Sequence, residues 1–376
     1  MAKGAYVGVN DVARKIKKGY IGVSDLARSV KKAYIGIGGV ARPCWGGGVE
    51  HYGTVTSLSV ARNRLAATTV GNYALFGGGD GGYRDAVDAY NTSLTRSTPD
   101  GLLFGGVDLA ATTVGSYAIF GGGDNINISP SISSTVDAYN TSLTKKSPSN
   151  LTVARAMLAA TAVGIYALFG GGNDGVSSYY ATVDAYNISL TRSTPTALSV
   201  ARAQLAATRV GDYALFGGGN SGSVPYSTVD AYNTSLTRST PTALSGQRDI
   251  LAATRVGDYA LFGGGHYSGS AYATVDAYNT SLTRSTPTTL SVARASLAAI
   301  TIGDYALFGG GYDINSSSFA TVDVYDKSLT RGTPLALSAA RAFLAAATVG
   351  DYALFGGGHD TNSNDYFDTV DAYISY

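Results

Sequence analysis

A near copy of one segment, LAATRVGDYALFGGGNSGSVPYSTVDAYNTSLTRSTPTALS at residues 205 to 245, recurs down the chain. Its landmark YALFGGG, once YAIFGGG, begins at Tyr73, Tyr117, Tyr166, Tyr213, Tyr259, Tyr305 and Tyr352, in steps of 44 to 49 residues. A second landmark, VDAY or once VDVY, ends at Tyr90, Tyr139, Tyr186, Tyr232, Tyr278, Tyr325 and Tyr373, which makes seven units. A period of this size means supersecondary units that cannot bury their apolar faces alone, so neighbours must supply the core.

Within a unit, LAATRV and YALF are short and apolar or alternating, and the Gly-Asp or Gly-Asn between them favours a tight hairpin turn. They read as strands a and b. TVDAYNTSL alternates and carries Val, Tyr and Thr, as a strand c should, while TRSTPTAL is polar and holds a Pro that only an outer strand d tolerates. Four antiparallel strands per unit, with no amphipathic helical window, predict a β-propeller rather than a linear solenoid. The ends suggest how the ring closes. The last unit stops after strand c, whereas GTVTSLSVAR before the first strand a aligns with a strand d lacking its own blade. Residues 51 to 60 are therefore expected to pair with residues 369 to 375, removing an open sheet edge.

The unit resembles the Kelch repeat across residues 51 to 376. The likeness rests on strand b ending in a glycine run, a variable loop, V-D-A-Y, and an Arg before an Ala-Ala strand (Arg155, Arg202, Arg248, Arg294, Arg341). The sequence departs from that pattern at Leu94 and its equivalents, where Kelch repeats usually carry Trp, and in unit two, where Gly106 replaces the Arg. The resemblance implies an all-β, seven-bladed Kelch-like propeller closed by an N-terminal outer strand. Kelch propellers mostly serve as binding platforms and a few are enzymes, so the fold is set more firmly than the function.

Residues 1 to 48 carry a different repeat, of period 14: AYVGVNDVARKIKK, GYIGVSDLARSVKK and AYIGIGGVARPCW. Each copy reads strand, two-residue turn (Asn10-Asp11, Ser24-Asp25, Gly38-Gly39), strand, giving three small hairpins ahead of a propeller at 49 to 376. The segment holds nine Lys or Arg against two Asp, +7, while the remainder holds 18 against 24, −6. Hairpins this small need something to pack on, which suggests an attachment or oligomerisation arm and a homo-oligomer; a solvated basic extension of the propeller is the alternative. Arg14, Lys15, Lys17, Lys18, Lys31 and Lys32 lie interleaved in hairpins of a nearly neutral chain, so no nucleic-acid partner is expected. The arm resembles the N-termini of tail-associated proteins from phages and prophages of Gram-positive bacteria, which implies a virion or particle component as the arm's partner and a virion or particle surface as the location.

No run of about 18 apolar residues predicts a membrane span, and the first residues lack the apolar core of a secretory signal. One cysteine, Cys44, permits no internal disulfide and no cysteine-based metal site.

Comparing the seven copies with one another locates the expected site. In an antiparallel blade the a-to-b and c-to-d turns share one end, and the b-to-c and d-to-a connections share the other. The first end barely varies. At the second, the loops between GGG and the next Val run DGGYRDA, DNINISPSISST, NDGVSSYYAT, NSGSVPYST, HYSGSAYAT, YDINSSSFAT and HDTNSNDYFDT. The residue before each LAA also varies there: Arg64, Asp108, Met157, Gln204, Ile250, Ser296 and Phe343. Tyr, Ser, Gly and Asn are what paratopes use, since Tyr gives rigid contact area and small polar residues give adaptable hydrogen bonds. The expected ligand-binding residues are Tyr83, Arg84, Tyr179, Tyr180, Tyr226, His266, Tyr267, Tyr272, Tyr312, Phe319, His359 and Tyr366 from the loops, with Arg64, Gln204 and Phe343; a bacterial surface glycan or protein is the expected ligand. The competing reading is free drift of surface loops after duplication.

The VDAY aspartates (Asp88, Asp137, Asp184, Asp230, Asp276, Asp323, Asp371) recur in every unit and read as scaffold. Asn91, Asn140 and Asn233 match the glycosylation pattern but repeat at one turn, so they read as turn chemistry. The GGG is followed by no Lys-Ser or Lys-Thr and opens no helix, so it is a close-approach turn and not a phosphate loop. Three His and one Cys supply no triad or copper site, and Asp360, Asp365 and Asp368 read as a solvated acidic loop before they read as glycosidase carboxylates or a Ca²⁺ site. No catalytic residue, metal or cofactor is expected. A structural particle component and a glycan-modifying enzyme remain the alternatives to a binding module.

Overall fold

The computed structural model describes residues 6–9, 12–15, 19–23, 26–30, 33–37, 40–45, 48–82, 84–125, 127, 131–222, 224–315, 317–332 and 335–375, those below 48 as backbone only. Seven four-stranded antiparallel sheets form a seven-bladed β-propeller. In blade four, strands Ala206–Val210, Tyr213–Gly217, Val229–Asn233 and Arg238–Ser239 follow one another from channel to rim. Val210 pairs Tyr213 across Gly211, whose φ of +50° is the left-handed conformation that a two-residue hairpin requires. Strand d keeps only two ladder residues, ending before Thr240-Pro241, because proline has no N–H to extend the ladder.

The core lies between blades. Ala206, Val210, Leu215, Val229 and Ala231 of blade four pack on Leu251, Ala260, Phe262 and Tyr278 of blade five. Gly217 ends strand b because the Phe262 ring of the next blade occupies its side-chain space: a Cβ there would lie 2.8 Å from that ring. Phe216 meets Tyr232 edge to face at 6.0 Å and 87°, and the buried Tyr232 hydroxyl donates to the Thr196 carbonyl at 2.8 Å. Burial pushes that phenol well above its ordinary pKa.

The VDAY aspartates are the inner halves of buried ion pairs. Arg202 Nη2 donates to Asp230 Oδ2 at 2.9 Å and to the Phe216 carbonyl at 3.2 Å, both side chains being fully buried. Arg62, Arg155, Arg248, Arg294 and Arg341 repeat this with Asp88, Asp184, Asp276, Asp323 and Asp371. In blade two, where Gly106 stands in place of Arg, Asp137 is left with the Leu103 N–H at 2.8 Å and one oxygen unpaired. The Asn-Thr-Ser turns are local scaffolding too: Asn91 Oδ1 accepts the N–H of both Ser93 and Thr95 at 3.0 Å, and Leu94 takes φ +60°.

The ring closes as expected, with shifted bounds. Val49–Val55 supplies the outer strand of blade seven and pairs with Val370–Ser375, with a bulge between Ala372 and Tyr373. Residues 56 to 60 are instead the connection into blade one, because the Ser59 N–H and hydroxyl bind Asp88 as Ser338 binds Asp371. His51 Nε2 lies 2.8 Å from Asp371 Oδ1 across the seam. A shared core of Leu65, Phe76 and Tyr90 with Leu354 and Ala372 joins the first blade to the last.

Below residue 48 three antiparallel hairpins are present, Tyr6–Val9 with Val12–Lys15, Gly19–Val23 with Leu26–Val30, and Ala33–Ile37 with Val40–Trp45. Their expected turn residues lie outside the described residues. Among those described, no helix is long and apolar enough to cross a membrane.

Candidate ligand-binding site

Each d-to-a connection must turn sharply to enter strand a, and it does so on the residue before LAA. Arg64, Asp108, Met157, Gln204, Ile250, Ser296 and Phe343 all adopt φ between 50° and 56°. For a side-chain-bearing residue the left-handed region costs about 1 to 2 kcal/mol, so something must hold these residues there. A closed cycle of backbone hydrogen bonds does. The N–H of Asp108 donates to the carbonyl of Arg64 at 3.1 Å, Met157 to Asp108 at 2.9 Å, Gln204 to Met157 at 2.9 Å and Ile250 to Gln204 at 3.0 Å. Ser296 donates to Ile250 at 3.1 Å, Phe343 to Ser296 at 3.0 Å, and Arg64 back to Phe343 at 2.9 Å. The cycle uses the N–H of every member, so the site differs from blade to blade through its side chains.

These side chains ring a cavity of about 680 Å³ at the channel mouth, within the range of small-ligand sites. A second tier stands outside them, where single bridges join Asn63 to Asp80, Ala203 to Asn220, Asp249 to His266, Ala295 to Tyr312 and Ala342 to His359.

The two halves of the cavity differ. Blades six and seven present an aromatic wall: Tyr312 stacks on Phe343 at 5.4 Å and 19°, Phe343 meets His359 at 5.2 Å, and His359 meets Tyr366 at 6.0 Å. The remainder of the ring sets polar groups beside Met157 and Ile250. Arg64 grips both carboxylate oxygens of Asp108, through Nε at 2.9 Å and through Nη2. Asn220 Nδ2 bridges Gln204 Oε1 at 2.6 Å and Asp249 Oδ2 at 2.5 Å, and His266 Nδ1 lies 3.6 Å from Asp249 Oδ1. Asn63 Nδ2 donates to His359 Nδ1 at 2.9 Å, which leaves the His359 proton on Nε2. Burial lowers the pKa of that imidazole and nearby Arg64 adds to this, against the pull of Asp360, so His359 is a neutral donor.

Among the lining side chains, Asn63 keeps an Oδ1 that is buried without a hydrogen-bond partner. The two carboxylates that line the cavity, Asp80 and Asp108, are paired with Arg84 and Arg64. The site is therefore suited to a neutral ligand that brings hydroxyl or amine donors and one apolar face.

Of the residues expected from the sequence, Arg64, Gln204, Tyr312, Phe343, His359 and Tyr366 converge on this cavity. Arg84 sits one step out, holding Asp80 at 2.7 Å, and His266 lies behind Asp249. Tyr180, Tyr226, Tyr272 and Phe319 do not line it. They occupy one repeated position, where the N–H donates to the third glycine of the run and the carbonyl accepts the N–H of the buried Arg. Tyr179 and Tyr267 lie in the b-to-c loops away from the cavity, Tyr267 being exposed, and Tyr83 lies outside the described residues. Sequence reasoning missed Asn63, Asp80, Asn220 and Asp249. The signal was present, since the position occupied by Asn63 and Asp249 holds Ala or Val in the other five blades. In the acidic loop, Asp360 Oδ1 accepts the Asn362 N–H at 3.0 Å, which with Ser363 holds that carboxyl below its usual range; it is committed to its own turn.

No protein-family profile and no curated protein matches the chain. Among solved structures it is similar to that of YjhT, with a TM-score of 0.62 at 12% identity over 75% of this chain and 99% of that one. At that identity the likeness is one of fold, and it agrees with the topology: the chain is a seven-bladed β-propeller, a fold compatible with a binding module.

Proposed function

We propose that the protein is a non-enzymatic binding module whose variable face takes a sugar unit of a bacterial surface glycan, and whose N-terminal hairpins mount it on a phage-like particle. One observation carries the reading: a rigid cycle of seven residues presents seven different side chains to one mouth, with an aromatic wall on one side and polar groups in the remainder of the ring. A pyranose fits that division, because its C–H face packs on Phe343 and Tyr366 while its hydroxyls donate to Asp80 and Gln204. The wall is pre-stacked and the polar groups pre-bonded, so little side-chain entropy is lost on binding. The basic arm, the resemblance of its repeats to tail-associated proteins, and the net −6 of the remainder support attachment through one end and recognition through the other.

The test is a glycan-array and bacterial-cell binding assay with the full chain, beside Phe343→Ala/Tyr366→Ala and Asn63→Ala. The aromatic pair should cost at least tenfold in affinity and Asn63→Ala a smaller, sugar-dependent amount. Unchanged binding in the folded aromatic variant refutes the cavity as the site. Binding to no cell or glycan, with the full chain assembling into particles, favours subunit packing as the role of this face.

A further inference from the structure

The other mouth of the channel carries an unexplained charge arrangement. There the innermost strands enclose a second cavity, of about 700 Å³, lined by Thr68, Thr112, Thr161, Thr208 and Thr254 and by the residue that follows each. That following position reads Thr69, Thr113, Ala162, Arg209, Arg255, Thr301 and Thr348 around the ring. Where it is threonine, the hydroxyl can be spent inside the protein: Thr69 Oγ1 donates to the Thr348 carbonyl at 2.7 Å, Thr113 Oγ1 to the Thr69 carbonyl, and Thr301 Oγ1 to the Arg255 carbonyl. These bonds lace one blade to the next and leave nothing over for a ligand.

The two arginines break this pattern side by side, on blades four and five. Both are exposed and both line the cavity. Among the described residues no carboxylate lies within ion-pair distance of either guanidinium, and neither guanidinium donates a hydrogen bond. The acidic turns at this end do not compensate. Asp212, Asp258, Asp304 and Asp351 are not among the lining residues, and Asp304 is held by Lys327 at 2.8 Å. Burial lowers the pKa of Arg255 and Arg209 lowers it further, with no acidic group opposing them.

We propose that this mouth is an oxyanion-binding site, in which Arg209 and Arg255 clamp a phosphate, sulfate or carboxylate group between adjacent blades. Each guanidinium offers five N–H donors in a planar fork that matches two oxygens of such a group, and an anion between them replaces the repulsion of two like charges by two attractions. The hydroxyl of Thr208 sits one residue along the same strand as Arg209 and lines the same cavity, whereas Thr254 Oγ1 donates to Thr301 Oγ1 at 2.9 Å. The site is at the opposite end of the channel from the sugar-binding cavity and does not depend on that reading.

Calorimetric titration of the full chain with inorganic phosphate and, separately, with acetate tests it, at ionic strength held constant with sodium chloride. The unaltered chain should bind at least one probe saturably at one site. Arg209→Gln/Arg255→Gln should weaken it at least tenfold, and Arg209→Lys/Arg255→Lys should lose less. Because the two guanidinium groups hold no partner in the fold and repel each other, the double glutamine variant should keep the circular dichroism of the parent and unfold at or above its midpoint. Preference for phosphate over acetate assigns a tetrahedral oxyanion, and the reverse assigns a carboxylate. Saturable binding of neither probe, or binding that the glutamine variant retains, overturns the proposal.

Discussion

Blade two lacks the arginine that six other blades bury, so one substitution made in two blades should have opposite consequences. In blade three, Arg155 Nη2 lies 2.8 Å from Asp184 Oδ2 with both side chains fully buried, the Thr152 N–H and hydroxyl donate to the same carboxylate, and Arg192 Nε lies 3.8 Å from Oδ1. Asp184→Asn leaves the Arg155 charge buried without its counter-charge, an arrangement that costs about 3 to 5 kcal/mol; the retained amide oxygen favours the lower end. In blade two, Asp137 is 3% exposed, has no arginine, and keeps one oxygen without a partner. Burial raises its pKa, against the Leu103 N–H and Lys145. The sign follows from linkage. A carboxyl whose folded value lies above its unfolded value contributes stability below the unfolded value, near 3.9, and loses it as pH rises through the folded value. At pH 7 the buried carboxyl of Asp137 is therefore a burden, and Asp137→Asn, which keeps an acceptor for Leu103, should be neutral or stabilising by about 1 kcal/mol. The assay is denaturant unfolding of both variants at pH 7 and at pH 4: Asp184→Asn should be the less stable at pH 7, and the gain from Asp137→Asn should shrink at pH 4. Equal losses at pH 7 would refute the claim that arginine pairing distinguishes these blades.

Two further predictions concern closure and the ring of left-handed residues. Removing residues 1 to 48 should leave a cooperatively unfolding propeller, whereas removing 1 to 55 deletes the strand paired to Val370–Ser375 and should give aggregation or a broad transition by size exclusion and calorimetry; matching behaviour would mean that the seam contributes nothing. At Met157, with φ 55°, glycine should be more stable than valine by more than 1 kcal/mol in denaturant unfolding, since a β-branched residue strains that conformation most; the reverse order would mean that packing, not φ, governs the ring.

The candidate site was legible in part, and the boundary has a physical cause. Comparing the seven copies identified the variable end and the residue before each LAA, hence Arg64, Gln204 and Phe343, because a repeated fold reuses one position for one place in space. It did not separate Tyr312, His359 and Tyr366, which reach the cavity, from Tyr180, Tyr226, Tyr272 and Phe319, whose backbone ties the glycine run to the buried arginine. All are aromatic residues in equally variable loops, and their place in the loop decides which way they face: Tyr312 and His359 follow the glycine run directly, and Tyr366 stands one residue before the repeated position at Phe367.

The sequence by itself determined the number of blades, the order of strands within each, and the use of an N-terminal strand to close the last. Those features follow from local alternation, turn residues and repeat period, which are properties of neighbours in the chain. Only the tertiary structure decided that Asp230 meets Arg202, that Gly217 makes room for Phe262, that Val49–Val55 and not residues 51 to 60 seals the ring, and that seven left-handed residues hydrogen-bond in a cycle. Each of these joins residues of different strands or blades through contacts that local alternation and turn residues do not specify, and the seam and the closed cycle require in addition that the first blade meet the seventh.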